Sequence, residues 1–260
     1  MQILLANAKI MNVKAASSPW TQPLFQNVAN ALAMEMAACD VDTLARELDC
    51  SRKLAAENWQ RYQNFFTAPA LPALLAYNGQ AYKHLKASTL SAEALAFAQQ
   101  HLWITCFLYG LLRPMDAVVP YRMEHCVHLP STGGRPINQY WRDRLTDVLI
   151  DSVKADDGVL VHLSTAEYEH LFDWPRVCRE LRVVHPLFYV RQPSSRSGGL
   201  KGGADLKIQA VWAKACRGAM ARFIFEHQLA TPDELCAFSY EGFEFNPDYG
   251  DADFPHFIRE

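Results

Sequence analysis

The chain opens on a short, continuous apolar run, Ile3 to Ala6, which has the length and flanks of a buried strand. Residues Leu24–Ala38 have helical composition, and Val41–Leu48 followed by Ser51–Phe65 reads as a helix–turn–helix pair. Pro69 and Pro72 interrupt the chain, and Gly79–Leu85 is expected as a short strand or loop. Ser91 is a good N-cap for a helix expected to run to Leu112 and to stop before Pro114. Gly133, Gly134 and Pro136 mark a loop ahead of a helix near Ile137–Val153.

Beyond the turn Asp156-Asp157-Gly158, Val159–Leu163 reads as a strand that enters a helix near Ser164. Leu181–Arg191 is expected as one strand and Pro193–Ala204 as a mobile Ser/Gly loop. Leu206–Ala210 reads as a strand and Val211–Leu229 as a long helix. Thr231-Pro232-Asp233-Glu234 matches a capping box with proline at the first helical position. Glu241–Asn246 and His256–Arg259 complete the pattern as edge strands. Strands interleave with helices throughout, so the expected class is α+β (mixed α/β), a single compact domain over residues 1–260.

Half of the residues are hydrophobic and a fifth charged, which excludes wholesale disorder. No stretch approaches the roughly 18 apolar residues of a membrane helix, and Met1–Asn7 lacks the basic start of a signal peptide. Seven scattered cysteines without a C-x-x-C spacing suit free thiols in a reducing, cytoplasmic setting. The net charge is −3 but unevenly spread. Residues 191–226 carry seven basic against two acidic side chains, and residues 227–260 carry one against eight. The basic block suggests an anionic ligand; mutual neutralisation of block and tail is the plain alternative.

Three constellations carry candidate chemistry. The first joins Tyr109–Asp116 to Pro120–Glu124, where Arg113 and Arg122 have Asp116 and Glu124 as natural partners. They form either a salt-bridged turn or a rigid fork for phosphate or carboxylate. The second is Ser164-Thr165-Ala166-Glu167-Tyr168, a capping box that also offers helix-end amides to an anion; no G-x-S-x-G elbow makes Ser164 a nucleophile. The third is one helix face bearing Lys214, Arg217, Gly218 and Ala221, with Arg222 at its edge, a basic surface that something large can approach. His125 and His128 are expected on opposite faces of a strand, so no metal site and no cofactor motif is expected.

Taken in order, Phe97–Leu102, Leu108-Tyr109-Gly110-x-Leu112-Arg113-Pro114-x-Asp116, Pro120-Tyr121-Arg122-x-Glu124, Tyr140-Trp141, Glu167-Tyr168 and Ala213-Lys214-x-x-Arg217-Gly218-x-Met220-x-Arg222-Phe223 resemble the YaaA family of peroxide-stress-resistance proteins. Glu241-Gly242-Phe243 extends the resemblance to the acidic tail. The resemblance implies a bacterial cytoplasmic protein of the hydrogen-peroxide response, with an unusual single-domain fold. It further implies limitation of free iron and protection of DNA, through double-stranded DNA bound without strong sequence preference in a cationic cleft that includes a helix–hairpin–helix element. Lys9, Arg113, Arg122, Lys214, Arg217 and Arg222 are the expected anion-binding residues. Tyr82, Asp116, Tyr121, Glu124, Tyr140, Trp141, Thr165, Glu167, Tyr168 and Gly218 are expected to support the cleft. No membrane and no obligate protein partner is implied.

Three local departures stand out. Ala6-Asn7-Ala8-Lys9 replaces the family's Ser-Pro-Ala-Lys, Gly79-Gln80-Ala81-Tyr82 stands for Gly-Asp-x-Tyr, and the hairpin candidate Lys53–Asn58 lacks its glycine. A second reading uses the polar residues as an enzyme. There Arg113, Tyr121, Arg122, Glu124, Glu167, Lys214 and Arg217 would form a pocket for a nucleobase or phosphate-bearing substrate, with Lys9, Glu124 or Glu167 as catalytic candidates. The two readings separate on geometry: a closed pocket too narrow for a duplex favours the second.

Overall fold

The computed structural model describes residues 1–14, 17–192 and 206–260. Strand β1 (Gln2–Ala6) is followed by α1 (Gln26–Ala38), α2 (Val41–Glu47) and α3 (Arg52–Gln63). Asp40 and Ser51 cap α2 and α3 by accepting from Thr43 N and Leu54 N, each bond worth about 1 kcal/mol. Then come β2 (Leu71–Pro72), α4 (Ala73–Ala76), α5 (Gln80–Leu85) and α6 (Ala92–His101), the last capped by Ser91. Strands β3 (Leu102–Cys106), β4 (Gly110–Leu112) and β5 (Ala117–Val118) precede α7 (Ile137–Lys154) and β6 (Val159–Leu163). The remainder is α8 (Ala166–Glu169), α9 (Trp174–Glu180), β7 (Arg182–Val184), β8 (Leu187–Arg191), β9 (Leu206–Lys207), α10 (Ala210–His227), β10 (Ser239–Tyr240), β11 (Phe243–Gly250) and β12 (Pro255–Arg259).

The first sheet has the order β4-β3-β1-β6-β7. β1 pairs in parallel with β3 on one side and β6 on the other, β7 continues the parallel set, and β4 closes the edge antiparallel. Ile3, Leu4 and Leu5 are buried, as a central parallel strand covered on both faces requires. The chain leaves β1, returns beside it as β3, and later returns on its opposite side as β6. The carboxyl end of β1 is therefore the place where the connections diverge, where open parallel sheets form their ligand crevice.

A second sheet, β10-β11-β12-β8-β9, stands apart. Helix α10 touches β6 of the first sheet and β8 of the second, and lies along α5. That last contact depends on Gly218: a β-carbon there would sit 1.8 Å from the Ala81 carbonyl oxygen. The small-residue seam of α10 is thus filled by the protein's own helix α5, not left open to a large partner.

Several expected elements take another form. The helix expected from Ser91 to Leu112 ends at His101, and Leu102–Cys106 is a fully buried strand. Bulky and β-branched side chains (Trp103, Ile104, Thr105) favour that outcome once a central strand offers pairing partners. Gly79–Leu85 contributes helix α5 rather than a strand or loop. Leu181–Arg191 divides at His185-Pro186 into β7 and β8, which belong to different sheets. Leu206–Ala210 gives only a two-residue strand, because α10 already begins at Ala210. The Thr231 capping box forms as expected, whereas the helix it starts is a 3-10 turn, Pro232–Ala237. The Ser/Gly loop expectation at 193–204 lies outside the described residues. Among those residues no helix is long and apolar enough to cross a membrane.

Candidate functional site

A cavity of about 560 Å³ opens at the carboxyl ends of β1 and β6. Leu5 to Ile10 form one wall and Gly79–Tyr82 of α5 another. Leu163 and Thr165–Tyr168 form a third, and Lys214 and Arg217 of α10 close the side. Ala6, Ala8, Ala81 and Ala166 leave the space that larger side chains would fill. The Gly218–Ala81 contact holds α5 against α10, so the wall bearing Tyr82 faces the two basic side chains.

The floor is built from hydroxyls and one amide. Tyr168 donates to Asn7 Oδ1 (2.5 Å), Asn7 Nδ2 donates to Tyr121 Oη (3.2 Å), and Tyr121 and Tyr77 share a 3.0 Å bond. Tyr82 donates to the Ala6 carbonyl (3.0 Å). Burial pushes the pKa of Tyr77, Tyr82, Tyr121 and Tyr168 well above the usual phenol value. These hydroxyls therefore keep their protons and fix the end of β1; none is a base at neutral pH.

At the mouth, Lys9 Nζ lies 2.6 Å from Glu124 Oε2, and Arg122 Nη2 lies 2.7 Å from Glu124 Oε1. The second contact is an ion pair by distance without hydrogen-bond alignment, since Glu124 Oε1 and Arg122 Nε have no hydrogen-bond partner among the described residues. Glu124 is buried and the Lys9 side chain half exposed, so the carboxylate ties a solvent-facing cation to the interior. Glu167 lines the cavity 3.5 Å from His125 Nδ1.

On the α10 side, burial lowers the Arg217 pKa, outweighing Cys216 and Glu169, and its Nε is buried without a partner among the described residues. Behind it His185 stacks on His162 with ring centroids 4.5 Å apart. Burial, then His162 and Arg217, bring the His185 pKa down to about 4. His162 Nδ1 accepts from Ser164 N (3.1 Å), so its proton sits on Nε2, facing Glu169 (3.0 Å). That wiring engages the Ser164 backbone, and Ser164 Oγ has no partner among the described residues. The expected Ser164 capping box is accordingly absent: Thr165 occupies the N-cap of α8 without a side-chain cap bond, and α8 has only four residues.

The structure brings together Lys9, Tyr82, Thr165, Glu167, Tyr168, Lys214 and Arg217 at this cavity. Glu124, Arg122 and Tyr121 buttress it from behind, and Gly218 does so through α5. Arg113 lies elsewhere. Its guanidinium stacks on Trp103 (3.5 Å) and donates to Gln2 Oε1, the Gln100 and Leu102 carbonyls and Ser152 Oγ. Burial lowers its pKa to about 10. Asp116 fastens the same turn by accepting from Arg113 N and Thr21 Oγ1. Arg222 donates to the Leu85 and Lys86 carbonyls and to Thr89 and pairs with Glu226. Tyr140 and Trp141 belong to the core, Trp141 donating to the Phe107 carbonyl (2.7 Å).

Other residues join the site beside the expected ones. Asn7, Gln80 and Ala81 line the first cavity. Lys14, Lys83 and Lys86 line an adjoining cavity of about 370 Å³ that shares Tyr82 with it. Asn7, Gln80 and Ala81 fall in the two blocks that depart from the family pattern, and Asn7 also follows the first strand directly. The hairpin candidate Lys53–Asn58 lies inside α3, away from both cavities. Among the described residues no group of three His, Cys, Asp or Glu side chains could hold a metal ion.

The structure is that of a mixed α/β protein with a crevice at the carboxyl ends of parallel strands, where such sheets commonly hold ligands, and comparison with known proteins narrows it. The family model of peroxide stress protein YaaA matches residues 1–249, and the chain belongs to that family. A UPF0246 protein of Bacteroides thetaiotaomicron is 43% identical over 255 residues, covering 96% of this chain and 95% of the relative. One from Porphyromonas gingivalis is 39% identical over 265 residues and the full length of both chains. One from Ruegeria pomeroyi is 35% identical over 266 residues, covering all of this chain and 98% of the relative.

Proposed function

We propose that this chain serves the peroxide-stress response of its family by binding DNA through its phosphate backbone. The observation that carries the proposal is the pair of cavities that share Tyr82 as a lining residue. Between them they present Lys9, Lys214, Arg217, Lys14, Lys83 and Lys86 against one lining carboxylate, Glu167. Lys14, Lys83, Lys86 and Lys214 form no ion pair among the described residues, so their charge is available to phosphate. Ammonium groups on flexible stems suit backbone contact, which needs positive charge and reads no sequence. The membership of a peroxide-stress family supports the setting.

Fluorescence anisotropy with a duplex, at two salt concentrations, tests the reading. Affinity should fall steeply with salt and depend little on sequence. Replacing Lys83 and Lys86 with alanine should lower the salt slope by about two units if each meets one phosphate. A slope unchanged by that double substitution removes this face from the DNA interface.

A further inference from the structure

The cavity at the carboxyl end of β1 is too small for the surface role just assigned to it alone. A volume of about 560 Å³ falls within the roughly 300–1,000 Å³ of small-molecule sites. A duplex, whose major groove by itself is about 12 Å wide, passes over such a hole without entering it.

We infer that this cavity binds a single nucleoside monophosphate, with its phosphate between Lys214 and Arg217 and its flat body between the alanine-bearing walls. Charge sets the head group. Among the lining side chains Lys9, Lys214 and Arg217 stand against Glu167, a surplus of two positive charges. A phosphomonoester carries about −1.5 to −2 at neutral pH. Lys214 and Arg217 lie three residues apart on α10 and so share one face. Arg217 Nε is buried without a partner among the described residues, a cost that an anion's oxygens remove.

The rest of the lining sets the body. Ala6 and Ala8, Ala81, and Ala166 keep three sides of the cavity small and apolar, which leaves room for a planar ring system between them. Gln80 and Thr165 line it with hydrogen-bonding side chains that have no partner among the described residues, and Glu167 adds an acceptor. That mixture suits the edge of a nucleobase or ribose rather than an aliphatic chain. The nucleotide is either free in solution or the unpaired terminal nucleotide of a strand.

This inference shares Lys9, Lys214 and Arg217 with the proposed DNA face but does not depend on it, because the Lys14/Lys83/Lys86 cavity lies outside the pocket. Isothermal titration calorimetry of the full chain with each 5′-nucleoside monophosphate, with adenosine and with inorganic phosphate tests it directly. At least one monophosphate should bind at least about tenfold tighter than adenosine and than inorganic phosphate, the effect of one charge-assisted hydrogen bond. Arg217→Ala should weaken it by about ten- to a hundredfold, Arg217→Lys by less. Ala166→Leu, at a solvent-exposed lining position, should block the pocket while the melting temperature stays unchanged.

A 5′-phosphorylated single strand that displaces the monophosphate identifies a strand end as the source; failure to displace it identifies the free nucleotide. Binding that persists in Lys14→Ala/Lys83→Ala/Lys86→Ala while duplex affinity is lost separates the pocket from the DNA face. No binding of any monophosphate at millimolar concentration overturns the inference. So does binding untouched by both Arg217→Ala and Ala166→Leu, or inorganic phosphate that binds as tightly as the nucleotide.

Discussion

Gly218 of α10 passes so close to Ala81 of α5 that a β-carbon would lie 1.8 Å from the Ala81 carbonyl oxygen. The opposing atoms are backbone, so neither can swing aside. Gly218→Ala should therefore push α5 away from α10, open the wall that carries Tyr82, and destabilise the protein by about 1–3 kcal/mol. Urea denaturation reads the stability, and a wild-type midpoint in the variant would mean the two helices are not so tightly joined.

Glu124 is the buried carboxylate that holds Lys9 and faces Arg122. Glu124→Leu should leave Arg122 without a counter-charge in a mostly buried position and cost about 1–3 kcal/mol, discounted because Lys9 is half exposed. Removing both Arg122 and Glu124 together should cost less than the sum of the single changes, which a double-mutant cycle in urea measures. Additive costs would show that the two groups do not act as a pair.

The His185 pKa of about 4 lies below the ordinary value of 6.5, so the folded protein binds its proton less readily than the unfolded chain. Its contribution is complete above pH 6.5 and is lost as pH falls from there towards 4, by at most about 3 kcal/mol. Urea midpoints should drop between pH 7 and pH 4.5, and His185→Gln should flatten that decline. Glu169, lowered chiefly by its bond to His162, adds loss only further into acid. An equally steep decline in His185→Gln would locate the pH dependence elsewhere.

All seven cysteine thiols have pKa values raised, each chiefly by burial, and Cys216 reaches about 12. The thiolate is the species that peroxide oxidises, so these side chains are poor peroxide sensors at neutral pH. Mass spectrometry after brief peroxide treatment should find them unmodified, including the exposed Cys178 and Cys236. Rapid oxidation of any one would make thiol chemistry part of the response.

Much of this molecule is readable from its pattern. The strand at Ile3, the helices Val41–Leu48 and Ser51–Phe65, and the Thr231 capping box rest on local signals that tertiary packing reinforces. The failures have physical causes. Leu102–Cys106 carries the composition of either a buried helix or a buried strand, and only the presence of β1 decides between them. Arg113 and Arg222 look like ligand arginines in a sequence, but five donors on one planar group serve backbone carbonyls equally well. Arg113 instead braces Trp103 and the end of α6, and Arg222 braces the end of α5. Lys83 and Lys86 escape a sequence reading because Asn78-Gly79 signals a break, which conceals the short helix that follows.

That placement gives a sharp control for the DNA reading. Arg113→Ala should destabilise the fold by about 1–3 kcal/mol while leaving the salt slope of DNA binding unchanged. Lys83→Ala/Lys86→Ala should do the reverse, sparing stability and lowering the slope.

The most direct test is an anisotropy titration of duplex DNA against the wild-type protein and Lys14→Ala/Lys83→Ala/Lys86→Ala, each at two salt concentrations. A steep salt dependence in the wild type that falls by about three units in the triple variant, with stability unchanged, is the predicted result. Equal slopes in the two proteins, or no duplex binding by the wild type at low salt, would contradict it.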